Sequence, residues 1–461
     1  MATPARRVSA IPDPAGGGAR DLARRPRCFE VRLHSRSRRA LFLLATLLPA
    51  AGFLALAARV GLAGFWGDSL QIAALRRAVA LDAGNAQLRF NLGTAYLWAE
   101  GGNPAAAVME LRQAARLNPR VAAYWSALAK ACYAAGQAGC ADESLARAAR
   151  LAPAKPRYAW EAGLHYAITG RPRAAWPHLR RLLELQPEHA VQVFELLWRT
   201  GNSPESVWRN LAQPAAAGVR LAFLGFLLSQ SQFSAAESYW AELAAARAPL
   251  PLPPAAAYME QLLRCRRYRA AAQVWKYLQA AGVVSAAGEA SLAFNGGFEQ
   301  PPLGAAFDWQ GENQRYVVVD FADPGAYAGR RALRLDFTVP DNSEYQPAWQ
   351  LVPVVPGHSY ELTAWARGQN LTSDSGPRLR VEDPRCLACL SRATPGTVGT
   401  TSWRRLALAF TAPAQAEVLR ISVWRPRSRA FPMEISGQFW LDDVMLRAVS
   451  ENQIQAGGRR P

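Results

Sequence analysis

The hydrophobic pattern changes character twice along the chain. Ala40–Ala58 is an uncharged run of 19 residues. As a helix rising about 1.5 Å per residue it spans roughly 28 Å, close to the hydrocarbon thickness of a bilayer. Its central Pro49 is better tolerated in lipid than in a soluble helix. Beyond it, apolar residues recur at helical spacing as far as about residue 283. From Glu289 strict alternation takes over, as in a strand with one buried face. Leu333, Leu335 and Phe337 alternate with Arg334 and Asp336, and Tyr360, Leu362, Ala364 and Ala366 with Glu361, Thr363, Trp365 and Arg367. Leu379 and Val381, then Leu406, Leu408 and Phe410, then Leu419, Ile421 and Val423 continue it. Phe439–Leu446 is the last such run.

These regimes predict a multidomain chain, α then β. Residues 1–39 form a disordered basic tail and 40–60 a single transmembrane helix. Residues 68–283 form an α-solenoid, 289–448 a β-sandwich jelly roll, and 449–461 a second disordered tail. The tail before the apolar run holds ten arginines against Asp13, Asp21 and Glu30, a net +7. The positive-inside rule then places the N-terminus in the cytoplasm and the bulk of the chain in the periplasm, or otherwise outside the cytoplasm. A cleaved signal peptide is the competing reading, because Ala55-Leu56-Ala57 has the small residues of a cleavage site.

The helical region carries a repeat. Pro119, Pro153 and Pro187 lie 34 residues apart, each ending a similar tetrapeptide: Arg-Leu-Asn-Pro, Arg-Leu-Ala-Pro, Glu-Leu-Gln-Pro. A period of 34 belongs to a helix–turn–helix repeat. Stretches 86–119, 122–153 and 156–187 resemble tetratricopeptide repeats. The first has Leu92, Gly93, Tyr96, Ala107, Leu111 and Ala114 at family positions. The second has Trp125, Leu128, Ala129, Gly136, Ala141, Leu145 and Ala148. The third has Gly163, Tyr166, Gly170, Ala175 and Leu179. Residues 70–83 read as the second helix of an incomplete leading repeat. After Pro187 the pattern decays into degenerate hairpins, interrupted at Gly201–Pro204 and Pro249–Pro254. The resemblance implies a groove that binds protein partners, lined by Phe90 and Trp98, Lys130 and Tyr133, and Trp160. Packing of these side chains against the neighbouring hairpin is the alternative.

The strand region also carries a resemblance. Asn295-Gly296-Gly297-Phe298-Glu299 opens it, and Gly329–Leu335, Pro356–Leu362 and Trp403–Leu406 follow. Phe439-Trp440-Leu441-Asp442-Asp443-Val444 closes it. This order resembles the galactose-binding-like jelly rolls found as carbohydrate-binding modules. The resemblance implies a structural Ca²⁺ held by Glu299 with Asp442 or Asp443. Hard carboxylate oxygens suit that ion. The residues alternating away from the core suggest a glycan face of Gln350, Trp365, Arg367, Arg380, Arg420 and Trp424. There an indole stacks on a sugar ring and arginines pair with an acidic polysaccharide. A structural or protein-binding sandwich is the alternative.

Charge and chemistry alter this picture little. The formal net charge is +18, which favours anionic partners, with acidic glycans and lipid headgroups ahead of nucleic acid. No His-Glu-x-x-His, Gly-x-Ser-x-Gly or phosphate-loop motif occurs in the sequence, so no enzymatic activity and no catalytic cofactor is expected. Cys386-Leu387-Ala388-Cys389 lacks the second pair a zinc site needs. It and the pair Cys132 and Cys140, set across one hairpin turn, are disulfide candidates; free thiols are the alternative. The expectation is a non-catalytic extracytoplasmic scaffold, membrane-anchored, that joins protein binding to glycan binding, in cell-envelope or exopolysaccharide assembly. A pure protein–protein adaptor is the runner-up.

Overall fold

The computed structural model describes residues 35–285 and 291–449. The predicted tails lie almost wholly outside the described residues, except that residues 36–39 form the first turn of a helix. The chain divides into two compact units, up to Asn118 and from Pro119.

In the first unit, α1 (Arg36–Gly67) runs unbroken for 32 residues through Pro49. The Ser35 hydroxyl caps it by accepting from the Arg38 N–H. Among the described residues it is the one helix long and apolar enough to cross a membrane. The helix α2 (Ile72–Leu81) folds back on its last turns, then come α3 (Ala86–Trp98) and α4 (Pro104–Leu117). Ala63, Ala78 and Leu88 pack as a small core with Trp66, Val79 and Leu81 around it. Small residues set the crossing of α3 and α4: a Cβ on Gly93 would lie 2.5 Å from the Leu111 Cγ.

The second unit begins with two further hairpins, α5 (Ala122–Ala134) with α6 (Ala138–Leu151), and α7 (Pro156–Ile168) with α8 (Pro172–Leu185). Gly163 plays the part of Gly93, with Leu179 as its neighbour at 2.4 Å from a Cβ. A short 3-10 turn leads into α9 (Ala190–Arg199). The helix breaks at Gly201, whose φ is 78°, at the expected interruption Gly201–Pro204. It resumes as α10 (Pro204–Val207), widening into a π-turn at Trp208–Ala212. The π-turn buries Trp208, whose indole N–H donates to Glu242 at 2.9 Å. Then follow α11 (Ala217–Ser229), α12 (Phe233–Ala245), α13 (Leu252–Arg264) and α14 (Tyr268–Ala280). Disulfides join Cys132 to Cys140 and Cys386 to Cys389.

Two five-stranded antiparallel sheets complete the unit. The strands are β1 (Gln310–Gly311), β2 (Val317–Asp323), β3 (Ala332–Asp341), β4 (Tyr345–Pro353), β5 (Ser359–Leu371), β6 (Arg378–Glu382), β7 (Ser391–Ala393), β8 (Gly399–Thr411), β9 (Val418–Arg425) and β10 (Ile435–Val449). Sheet A has the order β1-β4-β9-β6-β7 and sheet B the order β2-β3-β10-β5-β8. Their inner faces share a core that includes Phe298, Leu335, Tyr360, Leu362, Ile421, Val423 and Phe439. The outer side of sheet A meets the helices: Leu351, Val418, Phe294 and Phe307 join the same core as Trp275 of α14. The architecture is therefore a helical-repeat region followed by a β-sandwich.

The first opening glycine of the sandwich is a steric requirement. A Cβ on Gly296 would sit 1.9 Å from the Val444 carbonyl oxygen, and the Val444 N–H donates to the Gly296 oxygen at 2.9 Å. Backbone cannot swing aside as a side chain can. Gly296→Ala is expected to cost about 1–3 kcal/mol by overpacking, read as a lower urea midpoint of the β-sheet signal. An unchanged midpoint would contradict this packing.

Candidate functional site

The six residues expected on one glycan face fall in three places. Gln350 lies opposite Ile421 in the β4–β9 ladder and so points inward. It is fully buried, and its amide donates to the Phe294 C=O at 2.8 Å and accepts from the Phe294 N–H at 3.1 Å. It serves the junction and is removed from the site. Arg380, Arg420 and Trp424 lie on the outer face of sheet A, whereas Trp365 and Arg367 lie on the outer face of sheet B. Alternation gave the outward side of β5, β6 and β9 but not of Gln350 on β4, and β5 and β6 belong to different sheets, so one continuous surface does not form.

On sheet A the cations are already engaged. Glu382, fully buried, pairs with Arg380 at 2.9 Å and also with Arg420. Arg380 lies 4.5 Å from the Trp424 ring centre and its side chain is only 12% exposed. The Trp424 indole N–H donates to Glu344 at 2.7 Å. Burial pulls the Arg378 and Arg380 guanidinium values below their usual range. One face of Trp424 is thus covered, and two of the arginines share one carboxylate.

Sheet B carries an aromatic platform. The loop after β2 brings Tyr327 face to face with Trp365, at 4.0 Å and 15°. Trp403 stands beside Tyr327 at 5.8 Å. Arg367 lies between two indoles, 4.0 Å from Trp440 and 5.4 Å from Trp403. Asp323 orients the buried end, accepting from the Trp440 indole N–H at 3.0 Å and from Arg334 at 2.5 Å. Tyr327 is 42% exposed and Trp365, Trp403 and Arg367 are half-buried, so the platform is reachable from solvent. Among the described residues no carboxylate pairs with Arg367 within ion-pair distance. Tyr327, Trp403 and Trp440 were not assigned to the glycan face from sequence. Trp403 and Trp440 carried the signal, as outward aromatics on their strands; Tyr327 sits in a loop without alternation.

Of the three acids expected at a cation, Glu299 and Asp442 hold a loop. Glu299 accepts from the N–H groups of Arg330, at 2.6 Å, and Arg331, at 3.1 Å. Asp442 is fully buried; one oxygen accepts from Tyr327 and Ala328 and the other from Asp443. Asp443 takes a left-handed φ of 50° and is half-buried. N–H groups are aimed at one oxygen of Glu299 and at both oxygens of Asp442. Among the described residues no group of three His, Cys, Asp or Glu converges as a metal site. Glu299 and Asp442 thus clamp the loop that carries Tyr327.

Of the expected groove residues, Phe90 and Trp98 belong to the first unit, where Phe90 is half-buried and Trp98 is 73% exposed. In the second unit Lys130 is neutralised by Glu161 at 2.7 Å, which also takes Arg157 at 2.9 Å and the Ser126 hydroxyl. Tyr133 packs edge-on against His165, and Trp160 is packed on the helical core. An open cavity of about 450 Å³ lies further along, between α9, α11 and α13. Val191, Leu221, Phe226 and Tyr258 make it largely apolar, with Gln261 and Cys265 at its wall. The degenerate repeats hid it, because no family positions remain there to map.

No family model matches the chain, and no curated protein does. Solved structures match parts of it. MamA is 17% identical, over 43% of this chain and 98% of MamA, with a TM-score of 0.28. Another MamA structure, 25% identical, is spanned over only 66% of its length, with a TM-score of 0.23. YrrB, described as a TPR protein with an unusual peptide-binding site, is 20% identical over 36% of this chain and 80% of its own, with a TM-score of 0.27. A Family 16 carbohydrate-binding module is 19% identical over 34% of this chain and 99% of its own, with a TM-score of 0.25.

Two carboxyls give the sandwich opposed pH responses. Burial pushes Asp308 up to about 6, although the N–H groups of Leu303 and Trp309 oppose the shift. Its folded value lies above the unfolded one, so its contribution is full below about pH 4 and is lost as pH rises through about 6. Asp341 is held down to about 2 by hydrogen bonds from Ser343 and Tyr345. Its contribution is present above about pH 4 and lost toward pH 2. Denaturant titrations should show Asp308→Asn flattening the decline in stability between about pH 4 and 7. An identical slope in both proteins would exclude Asp308 as its source.

Proposed function

We propose that the chain is a non-catalytic, membrane-anchored extracytoplasmic scaffold whose sandwich holds an acidic glycan on the outer face of sheet B. The observation that carries this reading is the platform of Tyr327, Trp365 and Trp403 with Arg367 set among the rings. Flat rings at the surface suit the apolar face of a sugar, and a cation without a carboxylate partner suits an acidic one. The length of α1 and the arginines before it support an anchor with its N-terminus in the cytoplasm. Two disulfides fit an oxidising compartment. The apolar cavity between α9, α11 and α13 suits a protein partner. Exopolysaccharide or other cell-envelope assembly is the setting in which these roles belong together.

A specific observation favours the adaptor as a second reading. The sandwich shares a continuous apolar core with the last helices through Leu351, Val418 and Phe307. A module fixed in this way can serve as a structural end-piece without any ligand.

Tyr327→Ala and Trp403→Ala should each weaken retention of the full chain on acidic polysaccharide, by about 1 kcal/mol or roughly fivefold in affinity. Trp424→Ala should leave retention unchanged. Wild-type protein that passes unretained at low salt would leave only the adaptor. For topology, a periplasm-only reporter enzyme fused after Arg447 should be active, and activity of a cytoplasm-only reporter there would refute the orientation.

A further inference from the structure

The first hairpin is joined to α1 without a linker. Nothing charged interrupts α1 between Ala40 and Ala58, and Arg59 is the first charge beyond. The helix nevertheless continues to Gly67, about 12 Å further along its axis. The helix α2 runs back beside this extension. Ala63 packs with Ala78, Arg77 lies over the Trp66 ring, and the Arg59 guanidinium donates to the Leu81 carbonyl at the end of α2. The turn Asp82–Asn85 is therefore returned to the level of Arg59. Arg89 of α3 also donates to the Ala83 carbonyl at 2.8 Å, holding the turn from the other side. The antiparallel α4, registered by Arg89 on Glu110 at 2.8 Å, brings its last turn back toward the same edge. That turn ends in exposed Arg116 and Leu117.

We infer that this edge of the first repeat, the Asp82–Asn85 turn together with Arg116 and Leu117, lies in the headgroup layer of the bilayer that α1 crosses. The inference rests on the reading of α1 as a membrane span. If Ala40–Ala58 fills the hydrocarbon, Arg59 stands at its boundary, and the polar layer beyond is only about 5–7 Å deep on each side. A turn at the level of Arg59 then falls inside that layer. The residues suit it: Arg59 and Arg116 face anionic headgroups against the single acid Asp82, and Leu117 offers an apolar contact. The opposite end of the same hairpin pair, the turn around Glu100 between α3 and α4, is carried away from the surface. The occupant of this edge is lipid, and the repeat that follows the span is seated on the membrane.

The test uses the full chain in nanodiscs of phosphatidylcholine and phosphatidylglycerol. The photo-crosslinker p-benzoylphenylalanine is placed singly at Leu48, Ala83 and Glu100, and lipid adducts are read by mass spectrometry. Adducts at Leu48 and Ala83, with none at Glu100, are the expected result. An adduct at Leu48 with none at Ala83 would overturn the seating and leave the span intact. Equal adducts at Ala83 and Glu100 would also overturn it, because no edge would be selected. No adduct at Leu48 would remove the span itself, and with it the ground for this inference.

Discussion

Phe294 stands where helices give way to strands, and its two sets of contacts join the halves of the second unit. Its ring meets Trp275 of α14 edge-on at 5.3 Å. Its backbone N–H and C=O are both taken by the amide of Gln350. A buried amide left unpaired there would be costly, so one side chain fixes the path of the entering chain as well as the register of β4. Everything that follows inherits that placement. β4 pairs with β9, β9 with β6, and the face of sheet A that results is in part closed by helices. The face of sheet B is left to solvent.

The helical half was legible because its constraint is local. Gly93, Ala129 and Gly163 recur where paired helices nearly touch, and proline follows each second helix. The third copy ends at Pro187, and beyond it only periodicity remains. Periodicity located the later helices but not the π-turn at Trp208–Ala212, in which Trp208 is buried. In the sandwich, alternation assigned sides correctly for β3, β5 and β9. It did not find β4 as a clean pattern, since β4 is covered on both sides: Ala348 and Val352 face the inner core, while Trp349 and Leu351 face the helices.

The candidate site was half legible for a related reason. Alternation identified Trp365 and Arg367 as outward, and nothing in it says which strands are neighbours. That grouping is a long-range property, set by the ladder order. Tyr327 had no local signal at all; it is held at the sheet by long-range contacts, among them Asp442, 115 residues later, which accepts its backbone N–H. The same carboxylate looked like a metal ligand from its motif. Its hydrogen bonds to Tyr327 and Ala328 give it a loop-holding role that the motif did not reveal.

The unbroken passage of α1 into the first hairpin has a mechanical consequence. A flexible linker would let a tethered domain sample a hemisphere above its anchor, and a pull on that domain would simply extend the tether. Here the last turns of α1 are packed into a core with α2 and α3. A sideways load on that hairpin therefore becomes a torque on the helix itself rather than being absorbed by slack, and under the proposed membrane anchoring it is lipid that would resist it.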